Sequence, residues 1–286
     1  MTTTATPTTP TPVRIGVTFP RVVRSEWIKL RTLRSSMWCL ALVLLLTIGF
    51  GLLLAATVNA PGHGALQADA QKQLVVQVAT LGVNFTQLVV AVLGVLVISG
   101  EYTTGMIRST FAAVPTRLPA LFAKLLVLVV VTFVVGLVAI LATAVVTAPI
   151  LSGKGVDFHV FDSDVMLALL GGAGYLALIA ALAFGAGAIL RNSAGGIASA
   201  LGLILVVPPI LSIIARITSA TWVQNVAAFL PSSAGAKMFA LAPSGAAASA
   251  PSDVITLTAG SGLLVLLAWV IVFLVMAAVL VKRRDA

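Results

Sequence analysis

The sequence has 286 residues, of which 60% are hydrophobic and 9% charged, and its mean hydropathy is +1.15. A soluble domain carries about 25% charged residues, so this composition excludes an ordinary soluble protein and predicts an all-α membrane protein. The net charge of +9 does not indicate a nucleic-acid partner, because the basic residues flank apolar runs and belong to no recognition motif. One cysteine and two isolated histidines predict neither a disulfide nor a metal site.

The N-terminal region divides into a tail and a helix. Residues 1–20 begin with a Thr/Pro tract and are predicted to form a disordered cytoplasmic tail. In the next stretch Trp27, Leu30 and Leu33 follow helical spacing among basic residues, which predicts an amphipathic helix lying on the membrane surface. The alternative is a positively charged flank that only sets the orientation of the first span.

Six apolar runs are each long enough to cross about 30 Å of hydrocarbon. We expect them to form one domain over residues 21–286, with spans at about 37–58, 74–98, 121–146, 165–190, 194–214 and 254–281. Six spans put both termini on one side, and 13 of the 17 Lys and Arg residues fall on that side. The positive-inside rule then predicts a multi-pass protein of the cell membrane with both termini in the cytoplasm.

The second span carries polar side chains on one face. Gln77, Thr80, Asn84 and Gln87 recur at offsets of three and four, so they share one side of a helix. One interpretation is hydrogen bonding between helices, which is the commoner use of such residues. The other is that Gln77, Asn84 and Gln87 line a translocation path through the bilayer.

Spans four and five show small residues and prolines. Alanines and Gly185 at a spacing of four predict a ridge on span four that another helix approaches closely. Pro208 and Pro209 predict a kink in span five that faces the bundle or a cavity, and they join the candidates for the translocation path. The long connection 216–253 holds apolar pieces too short to span, which predicts interfacial or partly re-entrant helices.

The loop after span two contains one of the two glutamates of the sequence, Glu101. A charge at the bilayer centre costs at least about 2.5 to 3.5 kcal/mol, so Glu101 is expected at a membrane edge or facing protein. Pro115 and Pro119 interrupt the chain soon afterwards and predict a short helix around 105–113 followed by a tight turn. Lys124, at the start of span three, is expected to extend its ammonium back to the headgroups.

Two interpretations of Glu101 stay open. The first is an ion pair at the membrane surface with Arg108, Arg117 or a basic residue of the N-terminal helix. The second is a contact with a partner protein. If such a partner drives transport through the bundle, we expect replacement of Glu101 or Arg108 by alanine to uncouple transport with little loss of folded protein.

No catalytic or nucleotide-binding motif is present in the sequence. It contains no G-x-x-x-x-G-K-[ST] and no H-E-x-x-H, and no predicted span has a charge near its centre. We therefore expect no enzyme activity and no cofactor bound by this chain. A bundle of this kind needs an external source of work to pump.

Two motifs resemble a known family. They are Ser25-Glu26-Trp27-Ile28-Lys29-Leu30-Arg31 before span one, and Gly100-Glu101-Tyr102, Gly105, Ile107-Arg108, Pro115, Arg117 and Ala123-Lys124 around the loop. On these residues the chain resembles the permease subunits of type-2 ABC exporters, with the look of an actinobacterial member.

The resemblance implies a six-span permease with an N-terminal interfacial helix and a short cytoplasmic coupling helix between spans two and three. It implies pairing with a second permease chain, as homodimer or heterodimer, and with an ABC ATPase subunit that uses ATP and Mg. The residues it implies for contact with the ATPase are Trp27, Arg31, Glu101, Tyr102, Arg108 and Arg117. The alternatives are an ion-coupled secondary transporter and a membrane anchor or assembly subunit that transports nothing.

Overall fold

The computed structural model describes residues 18–59, 67–113, 118–156, 161–218, 220–241 and 254–283, and these residues form helices and turns without a β-strand. The α-helices are α1 (Phe19–Thr32), α2 (Arg34–Thr57), α3 (Ala68–Thr80), α4 (Val83–Thr103), α5 (Met106–Ala113), α6 (Leu118–Gly153), α7 (Ser163–Leu190), α8 (Ser193–Leu201), α9 (Val207–Thr218), α10 (Thr221–Ala228), α11 (Pro231–Ala236) and α12 (Ala259–Arg283). A π-helical turn (Gly202–Val206) joins α8 to α9, and a 3₁₀ turn (Lys237–Phe239) follows α11.

Six helical segments are long and apolar enough to span a membrane, which confirms the predicted number within the described residues. They are α2, α3 with α4, α6, α7, α8 with α9, and α12. One end of this bundle holds the first residues of α2, α6 and α8 and the last residues of α4, α7 and α12. We call it the basic end, since most of the Lys and Arg residues that the structure describes lie there.

Some helix ends differ from the sequence prediction for local reasons. The predicted tail over 1–20 lies outside the described residues except for its last three, and α1 already begins at Phe19. The sixth span begins at Ala259, later than the predicted 254. Thr258 and Ser261 explain this start, because the backbone N–H of each donates to the hydroxyl of the other, at 2.8 and 3.3 Å, as in a capping box.

Helix α7 is the centre of the bundle and packs on α4, α6 and α12. Its small residues allow this, as the predicted ridge required. A Cβ on Gly185 of the ridge would lie 2.9 Å from Phe273 Cβ of α12, so α12 approaches the ridge closely. On another side of α7, a Cβ on Gly94 of α4 would lie 2.3 Å from the carbonyl oxygen of Ala180. The apolar 18-residue stretch of α7 is 67% buried, whereas the corresponding stretch of the α8–α9 span is only 11% buried.

The proline pair in the fifth span lies elsewhere than predicted. Pro208 is half-buried and Pro209 exposed, so within the single chain the irregularity is on the outside of the bundle. The π-helical turn directly before them explains this, because the N–H of Val207 bonds the carbonyl of Gly202 in a wider turn. The wider turn makes room for the proline rings.

The segment from α10 to the 3₁₀ turn folds back against α7 and α12, consistent with the predicted short helices. The indole Nε1 of Trp269 donates to the carbonyl of Phe229 at 2.9 Å, and the backbone N–H of Ile255 donates to Asn225 Oδ1 at 2.8 Å. Gly235 lies so close to the ring of Tyr175 that a Cβ would be 2.3 Å from it. These contacts hold the segment against the half of the bundle away from the basic end, and they reach the middle of α7 at Tyr175 and of α12 at Trp269.

Candidate functional site

Helix α1 lies along the basic end with one face buried. Pro20 sits in its first turn, where a missing N–H is tolerated. The buried residues Val22, Glu26 and Leu30 recur every four positions and therefore form one stripe. This stripe packs on the beginning of α6, where Val22 contacts Ala120 and Ala123 and Leu30 contacts Val127.

Four charged side chains meet where α1, α4 and α6 converge. We call Glu26, Lys29, Glu101 and Lys124 the charge cluster. Lys29 Nζ lies 2.7 Å from Glu26 Oε1 and 2.9 Å from Glu101 Oε1, and Lys124 Nζ lies 2.8 Å from Glu101 Oε1. Lys124 also donates to Glu26 Oε2. Each lysine thus binds both glutamates, and three helices that are distant in sequence are joined by one group of charges.

The charge cluster is buried and electrically balanced. Glu26, Glu101 and Lys124 are 4 to 5% exposed, while the side chain of Lys29 is 29% exposed. Ions withdrawn from water lose solvation worth several kcal/mol each, so this arrangement persists only because every charge has opposite partners. Among the described residues Glu101 Oε2 has no hydrogen-bond donor, which leaves Oε1 as the oxygen that holds both ammonium groups.

The pKa of Lys29 is raised above its ordinary value. Partial burial of its ammonium lowers the pKa, but hydrogen bonds and charge attraction from Glu26 and Glu101 together outweigh this effect. Lys29 therefore stays protonated throughout the physiological range.

The last turn of α4 contacts several other helices through successive residues. Ser99 shares a hydrogen bond of 2.9 Å with Ser193 at the start of α8, and Glu101 reaches α1 and α6. Tyr102 lies under the guanidinium of Arg191, whose Cζ is 5.1 Å from the ring centroid. Residues 99–102 thereby connect α4 to both halves of the chain.

Helix α5 follows this turn after a single glycine. Gly105 has φ +72°, a left-handed conformation that favours glycine, and open space surrounds the position of its missing Cβ. A turn at Thr104 and Gly105 thus separates α4 from α5. Ile107 is buried and Ser109 is exposed, so the short helix keeps one side against the bundle and exposes the other.

The structure separates the residues predicted for contact with an ATPase. Trp27 and Arg31 are exposed on α1, away from its buried stripe. Glu101 is buried in the charge cluster and Tyr102 is half-buried beneath Arg191. Arg108 occupies the third position of α5, and its side chain, like all of Arg117, lies outside what the structure describes.

Burial of Glu101 changes two expectations. Its partners are Lys29 and Lys124, so the structure bears out an ion pair with a basic residue of the N-terminal helix. Lys124 does not extend to the headgroups as predicted, because two buried carboxylates bind its ammonium. Replacing Glu101 by alanine should therefore also destabilise the fold, since it leaves two ammonium groups facing one carboxylate.

Sequence reasoning did not select Glu26, Lys29 or Lys124 as site residues. A signal was available, because the only two glutamates of the sequence both belong to the cluster. Glu26 also lies on the stripe with Val22 and Leu30, where an unpaired charge is not expected. A carboxylate within an apolar stripe indicates a buried cation nearby.

Three of the polar residues on span two line one cavity. Gln77, Thr80 and Asn84 face a space of about 260 Å³ between α3 and the turn that follows α11. The cavity shares Gln73 and Leu241 with a larger one of about 620 Å³, which extends toward Asp69 at the start of α3. The two cavities adjoin along α3, where Gln73, Gln77 and Asn84 supply amides, and we call them together the groove.

The other path candidates lie outside this groove. The hydroxyl of Tyr175 donates to Gln87 Oε1, and Gln87 Nε2 donates to the carbonyl of Asn84 at 2.8 Å. Gln87 thus forms a hydrogen bond between α4 and α7, which was one of the two uses predicted for the polar face of span two. Pro208 and Pro209 are not among the residues that line either cavity. Among the described residues no group of three or more His, Cys, Asp or Glu side chains could hold a metal.

Fold and composition define a class of protein, a multi-pass α-helical membrane protein whose first helix is joined to its bundle by buried charges. A model of the ABC-2 family transporter protein matches residues 22–208, well over half of the chain. The chain belongs to this family, and it is a membrane permease of the ABC transporter class. The matched region includes the whole charge cluster. No curated protein matches the chain significantly.

Proposed function

We propose that this chain is the permease subunit of an exporter driven by a separate ABC ATPase, which alone binds ATP and Mg. The observation that carries the proposal is the charge cluster, because it joins surface helix α1 to the end of α4 and the start of α6. A partner that binds α1 and α5 can therefore move three helices together. Trp27, Arg31 and Ser109, all exposed, are suited to contact such a partner.

The basic end is proposed to face the cytoplasm of the plasma membrane, with both termini on that side. The distribution of Lys and Arg in the sequence supports this orientation. The exposed apolar side chain of Ile28 on α1 supports a position at the membrane surface. An ATPase in the cytoplasm then meets α1 and α5 directly.

A second permease chain, identical or homologous, is proposed to complete the pore. The α8–α9 span supports this, because its exposed apolar side chains, among them Leu205, Ile210 and Ile213, have few partners within one chain. The groove that contains Gln77 and Asn84 supports passage of substrate along α3. Its amides can form hydrogen bonds with polar groups of a substrate, while most of the other lining residues are apolar.

Purification of the tagged chain from native membranes tests the proposal. We expect an ABC ATPase to co-purify, and we expect vesicles containing both proteins to export substrate when ATP is supplied. Transport by the purified chain alone with an ion gradient would instead identify a secondary carrier. ATP-dependent efflux that persists after deletion of the chain would identify a non-transporting subunit.

A further inference from the structure

Arg191 occupies an unusual place in the fold. It ends α7 with φ +53°, the one described non-glycine residue with a positive φ, and its N–H bonds the carbonyl of Gly187 at 2.9 Å. Glycine or asparagine adopts this conformation with less strain, and other residues spend about 1 kcal/mol or more on it. An arginine at this strained position therefore indicates that its side chain makes contacts that outweigh the cost of the backbone conformation.

The side chain of Arg191 joins α4 to α12, a helix that the charge cluster does not reach. Its guanidinium lies over the ring of Tyr102 on α4, and its Nη2 donates to the carbonyl of Leu280 in the last turn of α12 at 3.3 Å. We call these three residues the Arg191 junction. The neighbouring turn is ordered too, since the N–H of Gly195 donates to Asn192 Oδ1 at 3.0 Å and thereby caps α8.

The charge cluster acts on α1, α4 and α6, all in the first half of the chain. Helix α12 packs mainly on α7 and on α11, far along the sequence from the α4–α5 loop. Helix α7 packs on both α4 and α12, and at the basic end the guanidinium of Arg191 adds a direct contact from Tyr102 of α4 to Leu280 of α12. A planar guanidinium can stack on a ring with its face and donate from its edge at the same time, which an ammonium cannot.

We propose that Arg191 is a positioning residue that transmits movement of the α4–α5 loop to the C-terminal half of the bundle. This inference rests on the proposed function, since it needs a partner that moves the loop. When α4 shifts, the guanidinium moves with the ring of Tyr102, and the last turn of α12 moves with the guanidinium through the hydrogen bond to Leu280. The junction acts beside the charge cluster and independently of it.

Hydrogen exchange in the permease–ATPase complex, without nucleotide and trapped with ATP and vanadate, tests this inference. We expect trapping to change exchange at residues 276–280 of α12 and at residues 121–127 of α6 in the unaltered protein. In Arg191→Gly the change at 276–280 should fall by about fivefold or more, the lower end of typical coupling effects. The change at 121–127 should persist, because the charge cluster is intact.

Arg191→Gly is a favourable variant for this purpose, since glycine accepts the backbone conformation at position 191 and the chain should still fold. Arg191→Lys keeps the charge without the planar group and should lose most of the signal at 276–280. Tyr102→Phe keeps the ring and should retain it, whereas Tyr102→Leu should behave as Arg191→Gly does. A purely structural role for Arg191 would change exchange in both states equally and leave the nucleotide-dependent difference intact.

The inference is overturned if Arg191→Gly retains the full nucleotide-dependent change at 276–280, or if the unaltered complex shows none there. The proposed function fails differently. In that case no ATPase binds the unaltered chain at all, and the inference falls with it.

Discussion

The two junctions at the end of α4 are built from different interactions. The charge cluster consists of four mutually dependent charges, three of which are almost fully buried. The Arg191 junction is half-buried and depends on one side chain, on a backbone that glycine would also accept. The comparison indicates that the cluster is required for the fold itself, whereas the Arg191 junction can be lost without unfolding. Substitutions on either side of α4 should therefore have effects of very different size.

Removal of a cluster member should have the largest effect. Lys124→Met leaves two buried carboxylates with only Lys29 between them, and we expect it to lower the free energy of unfolding by about 3 to 5 kcal/mol. Denaturant unfolding of the purified protein in detergent measures this. The double variant Glu101→Gln/Lys124→Met removes one charge of each sign and should recover more than half of the loss.

A matched control is Leu126→Met, an exposed position two residues further along α6. It should change stability by less than about 0.5 kcal/mol. If Lys124→Met is no worse than this control, the cluster does not hold the three helices together.

The turn between α4 and α5 should give an intermediate effect. Gly105→Ala meets no steric obstacle, but it forces alanine into a left-handed conformation, at a cost of about 1 kcal/mol. Gly100→Ala also enters open space, yet it lies within helix α4, where alanine is favoured by about 1 kcal/mol. Thermal unfolding of both variants should therefore shift in opposite directions, and a shift of equal sign would contradict the backbone argument.

The exposed face of α1 should give small effects on stability. We expect Trp27→Ala and Arg31→Ala to change the free energy of unfolding by less than about 0.5 kcal/mol, since neither side chain is buried. Both should still reduce the amount of ATPase that co-purifies with the chain. Full retention of the ATPase by both variants would exclude this face as its binding surface.

The smallest effect is expected from pH. The pKa of Lys29 is raised above its ordinary value of 10.5, so its stabilising contribution is present below that pH and is lost as pH rises through the folded-state pKa. The stability difference between the unaltered protein and Lys29→Met should be constant from about pH 7 to pH 9 and decline only above about pH 10.5. A decline near neutrality would show that Lys29 is not held between two carboxylates.

Hydropathy was enough to predict the number of spans, because crossing a bilayer sets a minimum apolar length that appears directly in the sequence. The close packing of α7 was also predictable from its small residues. The charge cluster was not predictable from the sequence, because it depends on which face of α1 packs against α6. The packing of Val22 and Leu30 on α6 determines that face. For the same reason the sequence predicts Lys124 to be a surface lysine, and only the structure shows its ion pairs with Glu26 and Glu101.

The proline pair illustrates a different limit. Sequence alone indicates that Pro208 and Pro209 disturb a helix, but it does not show how the disturbance is absorbed. A π-helical turn directly before the pair widens the helix, and Pro208 and Pro209 lie toward the outside of the bundle. The same applies to Arg191, whose positive φ and ring contact are visible only in the structure.

Site-specific photo-crosslinking in native membranes tests the central claim most directly. A photoreactive amino acid is placed at Ser109 on α5, at Trp27 on α1, or at Phe161 before α7 as the control at the opposite end of the bundle, all of them exposed positions. We predict adducts with an ABC ATPase from Ser109 and Trp27 and none from Phe161. Adducts from Phe161 alone, or ATP-driven transport without adducts from Ser109 and Trp27, would contradict the assignment of the basic end as the ATPase-binding face.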